Sequence, residues 1–244
     1  MIFCEDTRHS IKLLNAYDIK KPLFSCHKFN EREAAEKIIA AAKDGGKIAV
    51  ISDAGMPVVS DPGNAVCKAL RESQTEFTVI PGANAALSAL VLSAFPADKF
   101  VFIGFLPDKA GERRQVLSEY RDCRLTMIIH AAPQDVDRVT ASLYEVFGER
   151  NACAVREITK IHEQTIYFKL SEGLKGEKRG EYVLVVEGAG ERENALNVLS
   201  ERQHILHYIN EGMDKKEAVK RVAKDRGVSK SEIYKFSLDI DAEN

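Results

Sequence analysis

The chain has 244 residues, of which 45% are hydrophobic and 30% charged, and its formal net charge is −2. This length and composition predict a globular protein of one or two domains, with a core large enough to fold without disulfides. The near-neutral charge excludes a basic field over the whole surface, so any contact with nucleic acid must come from a local patch.

Cysteine usage and hydropathy predict the cellular compartment. The five cysteines are scattered, odd in number and without a Cys-x-x-Cys spacing, as is typical of reduced thiols in a cytosolic protein. No apolar run approaches the roughly 20 residues of a membrane-spanning helix. The first residues also lack the pattern of a secretory signal. We therefore expect a soluble, cytoplasmic protein that does not contact membranes.

Strands and helices alternate in the first part of the chain. Apolar runs predict strands at 1–4, 22–25, 47–52, 76–80 and 100–106. Helical spacing predicts helices at 10–17, 31–44, 64–72 and 83–94. Asn30 and Glu33 have the spacing of a capping box at the start of the second helix. This alternation is typical of an α/β fold with a parallel sheet.

Residues 47–63, KIAVISDAGMPVVSDPG, are the most informative stretch. They predict a buried strand, followed from Asp53 by a loop that contains two glycines and two prolines. Loops at the carboxyl ends of parallel strands leave backbone N–H groups free for ligands, and glycine lets the backbone approach a ligand closely. Asp53 and Asp61 add two carboxylates. A tight turn with capping aspartates is the alternative interpretation.

The second half predicts a different sheet and a helical end. Helices are expected at 112–120 and 134–147, and strands at 124–130, 152–158, 164–169 and 182–187. Strands that cluster late favour a second α/β domain with a mixed sheet. With 107–111 as a linker, we expect domains at 1–108 and 109–192, and a helical appendage at 193–244.

The appendage is locally basic. Residues 213–236 contain eight Lys or Arg against four Asp or Glu. Two short helices around Gly227, the second begun by Ser229 and Glu232, predict a compact segment that contacts RNA or DNA. A solvated pair of terminal helices is the alternative.

Seven segments occur in an order that resembles one family. They are EDTR (5–8), SCHKFNE (25–31), SDAGMPVVSDPG (52–63), PGANAALSAL (81–90), FIGFLPDKAGERR (102–114), VREITKIHE (155–163) and GEYVLVVEG (180–188). Together with AVKRVAKDRGVSKSEIYKFSL (218–238), they resemble the 16S ribosomal RNA ribose methyltransferases, which act on the 2′-hydroxyl of a cytidine and have the tetrapyrrole-methylase fold.

The resemblance implies a fold, a cofactor and partners. The fold is a two-domain α/β tetrapyrrole-methylase-like fold with parallel and mixed sheets and a helical C-terminal appendage. S-adenosylmethionine would bind between the domains of a homodimer, without a metal. The RNA substrate would be a cytidine in the decoding region of 16S rRNA, within the small ribosomal subunit.

The resemblance also assigns site residues. The cofactor would contact Ser52, Asp53, Ala54, Gly55, Pro57, Pro81, Gly82 and Ala83. The RNA or the reacting hydroxyl would face Arg8, His27, Asn30 and Lys160. The base that removes the hydroxyl proton stays open among Glu5, Asp6, His27, Asp53, Asp61 and Lys160. His27 could instead be an ordinary loop histidine, and Lys160 could pair with Glu157 or Glu163.

Three features depart from the family pattern. Members normally begin with a further strand and a glycine- and proline-bearing loop, and this sequence starts after that element. Met56 replaces a usual threonine, and His130-Ala131-Ala132 replaces an aromatic–Glu pair. Two alternatives therefore stay open: a chain that folds and contacts RNA without binding cofactor, and a methylase of tetrapyrroles.

One histidine pair prompts the question of a metal site. His204 and His207 have helical spacing but no third ligand candidate nearby, so we expect ordinary surface residues.

Overall fold

The computed structural model describes residues 1–176, 178–190 and 195–240. The chain divides into two compact units, Met1–Gly188 and Ala189–Asn244. The first unit, unit 1, contains both sheets, and the second, unit 2, is helical in its described part.

The strands are short and lie in unit 1. They are β1 (Ile2–Cys4), β2 (Leu23–Ser25), β3 (Ala49–Ile51), β4 (Phe100–Phe105), β5 (Thr126–Ala131), β6 (Asn151–Arg156), β7 (Gln164–Lys169) and β8 (Tyr182–Val186). The helices are α1 (Thr7–Ala16), α2 (Glu31–Lys43), α3 (Asn64–Glu72), α4 (Ala85–Ser93), α5 (Ala110–Ser118), α6 (Val136–Phe147), α7 (Glu201–Asn210), α8 (Lys215–Arg226) and α9 (Lys230–Tyr234).

The first sheet has the order β2-β1-β3, and both pairs are parallel. Cys4 is opposite both Ser25 and Ile51, so the three strands end at the same level. Phe3 packs with buried residues of α2 and α3, among them Ile38 and Val66. This packing fixes one edge of the sheet from which three loops leave together.

The second sheet has the order β4-β5-β8-β6-β7, in which only β4 and β5 are parallel. Side chains alternate between its faces: Ile129 packs with Leu143 of α6, and Ile128 packs with Leu90 of α4. Helices therefore cover both faces. The α/β class and the mixed sheet are confirmed.

The predicted strand at 76–80 is wrong. These residues belong to no sheet, and Val79 and Ile80 are 62% and 81% exposed. An apolar, β-branched run has the propensity for a strand, but propensity alone supplies no partner for its backbone. Among the described residues, β3 has a strand on one side only.

Unit 2 packs three helices around a small apolar core that contains Ile205, Val222 and Ile233. Gly227 ends α8 in the left-handed conformation, with φ +65°. Ser229 and Glu232 form a complete capping box at the start of α9, as the sequence predicts. No helix in the described ranges is long and apolar enough to cross a membrane.

The expectation that His204 lies at the surface is wrong. Its side chain is fully buried, because α7 turns it towards α8, where its Nε2 lies 3.6 Å from an oxygen of Asp225. His207 is the more exposed of the pair and lies 3.3 Å from Glu211. No group of three metal-binding side chains occurs among the described residues.

Candidate functional site

Three loops leave the first sheet at the carboxyl ends of its strands. They follow Cys4, Ser25 and Ile51, which are in register. Because the strands are parallel, the segments 5–8, 26–30 and 52–57 start side by side. Most of the residues that the sequence singles out therefore lie at one edge.

The loop after β1 is tied to the loop after β3 through Asp53. The backbone N–H of Asp6 donates to Oδ1 of Asp53 over 3.3 Å, and Nδ1 of His9 lies 3.6 Å from its Oδ2. Asp53 therefore has two neighbours from the chain itself. His9 carried no signal in the sequence, because only the register of β1 and β3 brings it beside Asp53.

Arg8 is held by its own loop. Its Nη2 and Nε donate to the two carboxylate oxygens of Asp6 over 2.8 and 3.1 Å, and its backbone N–H donates to the same carboxylate. These hydrogen bonds lower the pKa of Asp6 to about 2. The Arg8 side chain is 90% exposed, so its charge faces solvent in a fixed position at this edge.

The predicted capping box of Asn30 and Glu33 is wrong. Asn30 stands at the start of α2, but Oδ1 accepts the N–H of His27 over 2.7 Å, and Nδ2 donates to the carbonyl and hydroxyl of Ser25. Glu33 pairs with Lys37 over 2.7 Å. Asn30 therefore shapes the loop that presents His27, because a backbone donor in the loop competes for its side chain.

His27 keeps one ring nitrogen occupied. Its Nδ1 accepts the N–H of Phe29 over 3.3 Å. The neutral ring therefore carries its proton on Nε2, which makes His27 a donor in this geometry.

The two segments expected to bind a cofactor approach each other through their backbones. A Cβ at Gly55, whose φ is +74°, would lie 3.7 Å from the carbonyl oxygen of Ala83. Ser52 donates to the carbonyls of Ala54 and Gly55, both over 3.1 Å, and so closes the first turn. The turns at 52–57 and 81–83 therefore lie next to each other, and we call their exposed backbone one surface.

This surface presents backbone N–H groups that are available to bind a ligand. The backbone N–H groups of Ala54, Gly55, Gly82 and Ala83 donate to no other described residue, and these residues are exposed. Asn84 follows them and caps α4 by accepting the N–H of Leu87 over 3.0 Å. Open N–H groups in adjacent turns are suited to bind a carboxylate or another anionic group.

The central loop contains strained backbone. Val58 and Ser60 have φ of +76° and +67°, and a β-branched residue such as Val58 rarely adopts such values. Strain of this kind persists where the surroundings impose it, often at functional sites.

Two carboxyl groups beside the loop, those of Asp61 and Glu5, have pKa values above the ordinary value. Burial and the nearby Glu5 carboxylate raise the pKa of Asp61 to about 6, with Asp53 adding to the effect and a hydrogen bond from Ser52 opposing it. Burial, Asp53 and Asp6 likewise raise the pKa of Glu5. The structure thus distinguishes Asp61 from the other carboxyl groups that the sequence left equivalent.

Lys160 belongs to a loop of the second sheet. It follows β6, and its ammonium pairs with Glu157 over 2.9 Å and with Glu181 over 3.1 Å. Hydrogen bonds to these two carboxylates raise the pKa of Lys160. Glu163 accepts the backbone N–H of Thr159 instead. Of the two pairings considered for Lys160, the structure shows the one with Glu157.

His130 is the last residue but one of β5 and lies beside a small cleft of about 20 Å³. Its ring meets the edges of Phe102 and Phe105, each with a centroid distance of 5.2 Å. Its Nε2 is buried without a hydrogen-bond partner in the described chain, and burial lowers its pKa. The cleft has room for a single water that could complete this ring's hydrogen bonding.

Comparison with known proteins defines the class. Residues 1–174 match the family model described as Tetrapyrrole (Corrin/Porphyrin) Methylases. The chain therefore belongs to the tetrapyrrole methylases. Among solved structures, a uroporphyrin-III-C-methyltransferase from Thermus thermophilus has a TM-score of 0.54 at 20% identity, covering 76% of this chain and 81% of that one. The methyltransferase CobJ has a TM-score of 0.52 at 17% identity, covering 80% and 95%.

Similar curated proteins define the family within that class. Ribosomal RNA small subunit methyltransferase I of Halalkalibacterium halodurans is 40% identical over 96% of this chain and 83% of its own length. The protein of the same name from Bacillus subtilis is 37% identical over the same shares. At this identity and coverage, the chain is a member of the ribosomal RNA small subunit methyltransferase I family.

Proposed function

We propose that this chain uses S-adenosylmethionine to methylate the 2′-hydroxyl of a cytidine in the decoding region of 16S ribosomal RNA. The relatives named as ribosomal RNA methyltransferases support the RNA substrate. The observation that carries the proposal is the close approach of Gly55 to Ala83, which brings together two turns with open N–H groups beside a cluster of carboxylates.

The residues at these turns fit the cofactor. Open N–H groups at Ala54, Gly55, Gly82 and Ala83 would hold the carboxylate of its methionine part, and Asp53 would accept from its ammonium or ribose. Ser52 and Pro57 keep the first turn in shape. When bound, S-adenosylmethionine supplies an electrophilic methyl group on sulfur.

We assign the proton transfer to Asp61. A ribose hydroxyl is a weak nucleophile, and a base whose pKa lies near the working pH is best suited to take its proton. Asp61 has a pKa of about 6, whereas that of Asp6 is about 2. Arg8 and His27, at the same edge, would contact the RNA, and Asn30 would position His27.

Two measurements test the proposal. Calorimetry with S-adenosylhomocysteine should show binding, and a Gly55→Val variant should lose it because a side chain there would occupy the space between the turns. Incubation with small ribosomal subunits and labelled S-adenosylmethionine should place label on the ribose of one cytidine, identified by nuclease digestion and mass spectrometry. Label in another RNA position, or in a tetrapyrrole instead of RNA, contradicts the assignment.

A second candidate function is RNA binding without cofactor. It is favoured by the open side of β3 and by residues 76–80, which pair with no strand among the described residues. The calorimetric measurement separates the two candidates, because cofactor binding by the 244-residue chain rules out the second.

The proposal includes a homodimer. Leu87 and Val91 lie one turn apart on α4 and are 48% and 76% exposed. Burying them against a second copy would remove apolar surface from water. Sedimentation analysis should give twice the chain mass, and a Leu87→Glu, Val91→Glu variant should sediment as a monomer.

A further inference from the structure

One face of α8 presents three lysines that have no carboxylate partner among the described residues. Lys216, Lys220 and Lys224 recur every four residues, so they line one side of the helix over about 12 Å. All three are exposed, and none pairs with a described carboxylate. We call these three residues the lysine row.

Unlike the lysine row, the two arginines of α8 form ion pairs with carboxylates. Arg221 lies 3.4 Å from Asp225, and Arg226 pairs with Glu201 over 2.9 Å. The first pair lies within α8, and the second joins α8 to α7. The lysine row therefore stands out as charge that the fold leaves available.

A second exposed surface follows directly in the chain. Tyr234 and Leu238 lie one turn apart and are 57% and 60% exposed, and we call these two residues the aromatic patch. The inward positions of this helical segment belong to Ile233 and Ser237, which are buried. Because the segment is helical, the side chains of the patch cannot turn inward without displacing those residues.

Charge indicates what covers this patch. Residues 213–236 carry a surplus of four positive charges in a chain of net charge −2. Lys230 lies one turn before Tyr234, so the patch is bordered by cations. A second copy docked on this face would bring two lysine rows together, whereas a polyanion with stacking bases complements both features.

We propose that unit 2 binds unpaired RNA in two ways at once: the lysine row neutralises phosphates, and Tyr234 stacks on a base. This inference rests on the proposed function, because it names the part of the substrate RNA that unit 2 recognises. Lysine contacts to phosphate depend strongly on salt, whereas stacking on an aromatic ring does not. Duplex RNA offers phosphates but keeps its bases stacked inside the helix.

The test is a salt titration of RNA affinity with the full-length chain. Fluorescence anisotropy would follow a short single-stranded RNA, and a duplex of the same sequence, between about 50 and 200 mM salt. Lys216→Gln, Lys220→Gln, Lys224→Gln should weaken binding to both RNAs. It should also reduce the slope of log affinity against log salt by about 2 for the single strand. The matching triple arginine variant keeps the charge and should keep the slope.

The aromatic variant should behave differently. Tyr234→Ala should weaken single-strand binding about tenfold or more, leave the salt slope unchanged and leave duplex binding unchanged. Tyr234→Phe keeps the ring and should bind as the wild type does. Tyr144→Ala, which removes a 45% exposed aromatic of α6, is the control for loss of an exposed ring.

Three outcomes would overturn the inference. If the aromatic variant loses single-strand and duplex binding equally, no base stacks on the ring. If the salt slope of the lysine variant is unchanged, the lysine row does not contact phosphates. A shift in sedimentation or melting of the aromatic variant without RNA would show that protein covers the patch. The proposed function is judged separately, by cofactor binding and by the position of the transferred methyl group.

Discussion

The carboxyl of Asp61 lies where burial and a neighbouring carboxylate oppose its charge. A folded-state pKa of about 6, above the ordinary value of 3.8, means that folding favours the protonated form. The stability from this group is full below pH 3.8 and is lost as the pH rises through about 6. At neutral pH the charged Asp61 therefore destabilises the protein, as is common for functional groups.

An Asp61→Asn variant should separate stability from activity. We expect methyl transfer to fall at least a hundredfold, because the base is removed. We also expect the free energy of unfolding at about pH 7.5 to rise by about 1–2 kcal/mol, after allowance for solvent screening, and to equal that of the wild type near pH 3.5. Urea denaturation at both pH values and single-turnover kinetics measure these effects. Asp98→Asn, at an exposed position, is the control; equal stability gains in both variants would contradict the interpretation.

His204 gives unit 2 the opposite dependence on pH. Burial and the nearby Arg226 lower its pKa, so the folded state favours the neutral ring. The stability from this group is present above the unfolded value of about 6.5 and is lost as the pH falls below it.

Acidification from about pH 7.5 to about pH 5 should therefore destabilise unit 2. Hydrogen exchange of the α7 and α8 amides measures this change. A His204→Gln variant should lose the pH dependence, and His207→Gln should retain it. If the two variants respond to acid alike, burial of His204 is not the cause.

At the scale of the element, the conformation of the loop after β3 depends on its glycines. Gly63 has φ +132°, and a Cβ there would lie 3.0 Å from Cγ2 of Val58. The strained Val58 and the permissive Gly63 therefore fit each other, and this contact holds the loop in one conformation before α3 begins.

Gly63→Ala should destabilise the protein by about 1–3 kcal/mol, because alanine is strained at this φ and crowds Val58. Thermal denaturation measures the change. Gly111→Ala is the matched control: it lies in α5 with nothing within 4 Å of its added Cβ, so it should be neutral or stabilise by up to about 1 kcal/mol. Equal effects at both positions would argue against a specific loop conformation.

Local signals predicted local structure well. The bounds of α3 and β7 match the sequence pattern, and Gly227 and Ser229 mark the turn between α8 and α9. Features that depend on distant partners could not be predicted from the sequence. The strand predicted at 76–80, for example, lacks a strand to pair with among the described residues. Asn30 bonds its own loop, and His204 is buried by α8.

The candidate site was predictable to the same extent. The sequence predicted that the turns at 52–57 and 81–83 bind the same ligand, and in the structure they lie next to each other. It could not rank the carboxylates, because the pKa of Asp61 depends on burial and on the position of Glu5. His9 and the ion pairs of Lys160 likewise arise from tertiary neighbours.

At the scale of the whole molecule, the chain comprises two compact units that have separate apolar cores. The residues assigned to the methyl-transfer site belong to unit 1, and the lysine row and aromatic patch belong to unit 2. Our proposals therefore assign methyl transfer to unit 1 and much of the RNA affinity to unit 2.

Denaturant titration should resolve two transitions. Hydrogen exchange of β5 and β8 should report one midpoint, and exchange of α7 and α8 a lower one, because the core of unit 2 is smaller. A single coincident transition for both sets of amides would show that the units unfold together.

Gly55 and Ala83 lie close enough that only the absence of a side chain separates them, and the donors beside them are peptide groups. No codon change deletes a peptide N–H except one that introduces proline, so an alanine scan of these turns would leave the ligand-facing atoms in place. Sequence drift, such as methionine at position 56, is tolerable there for the same reason. Removal of a single N–H donor without adding a side chain requires amide-to-ester replacement at residue 55 or 83, introduced by protein semisynthesis.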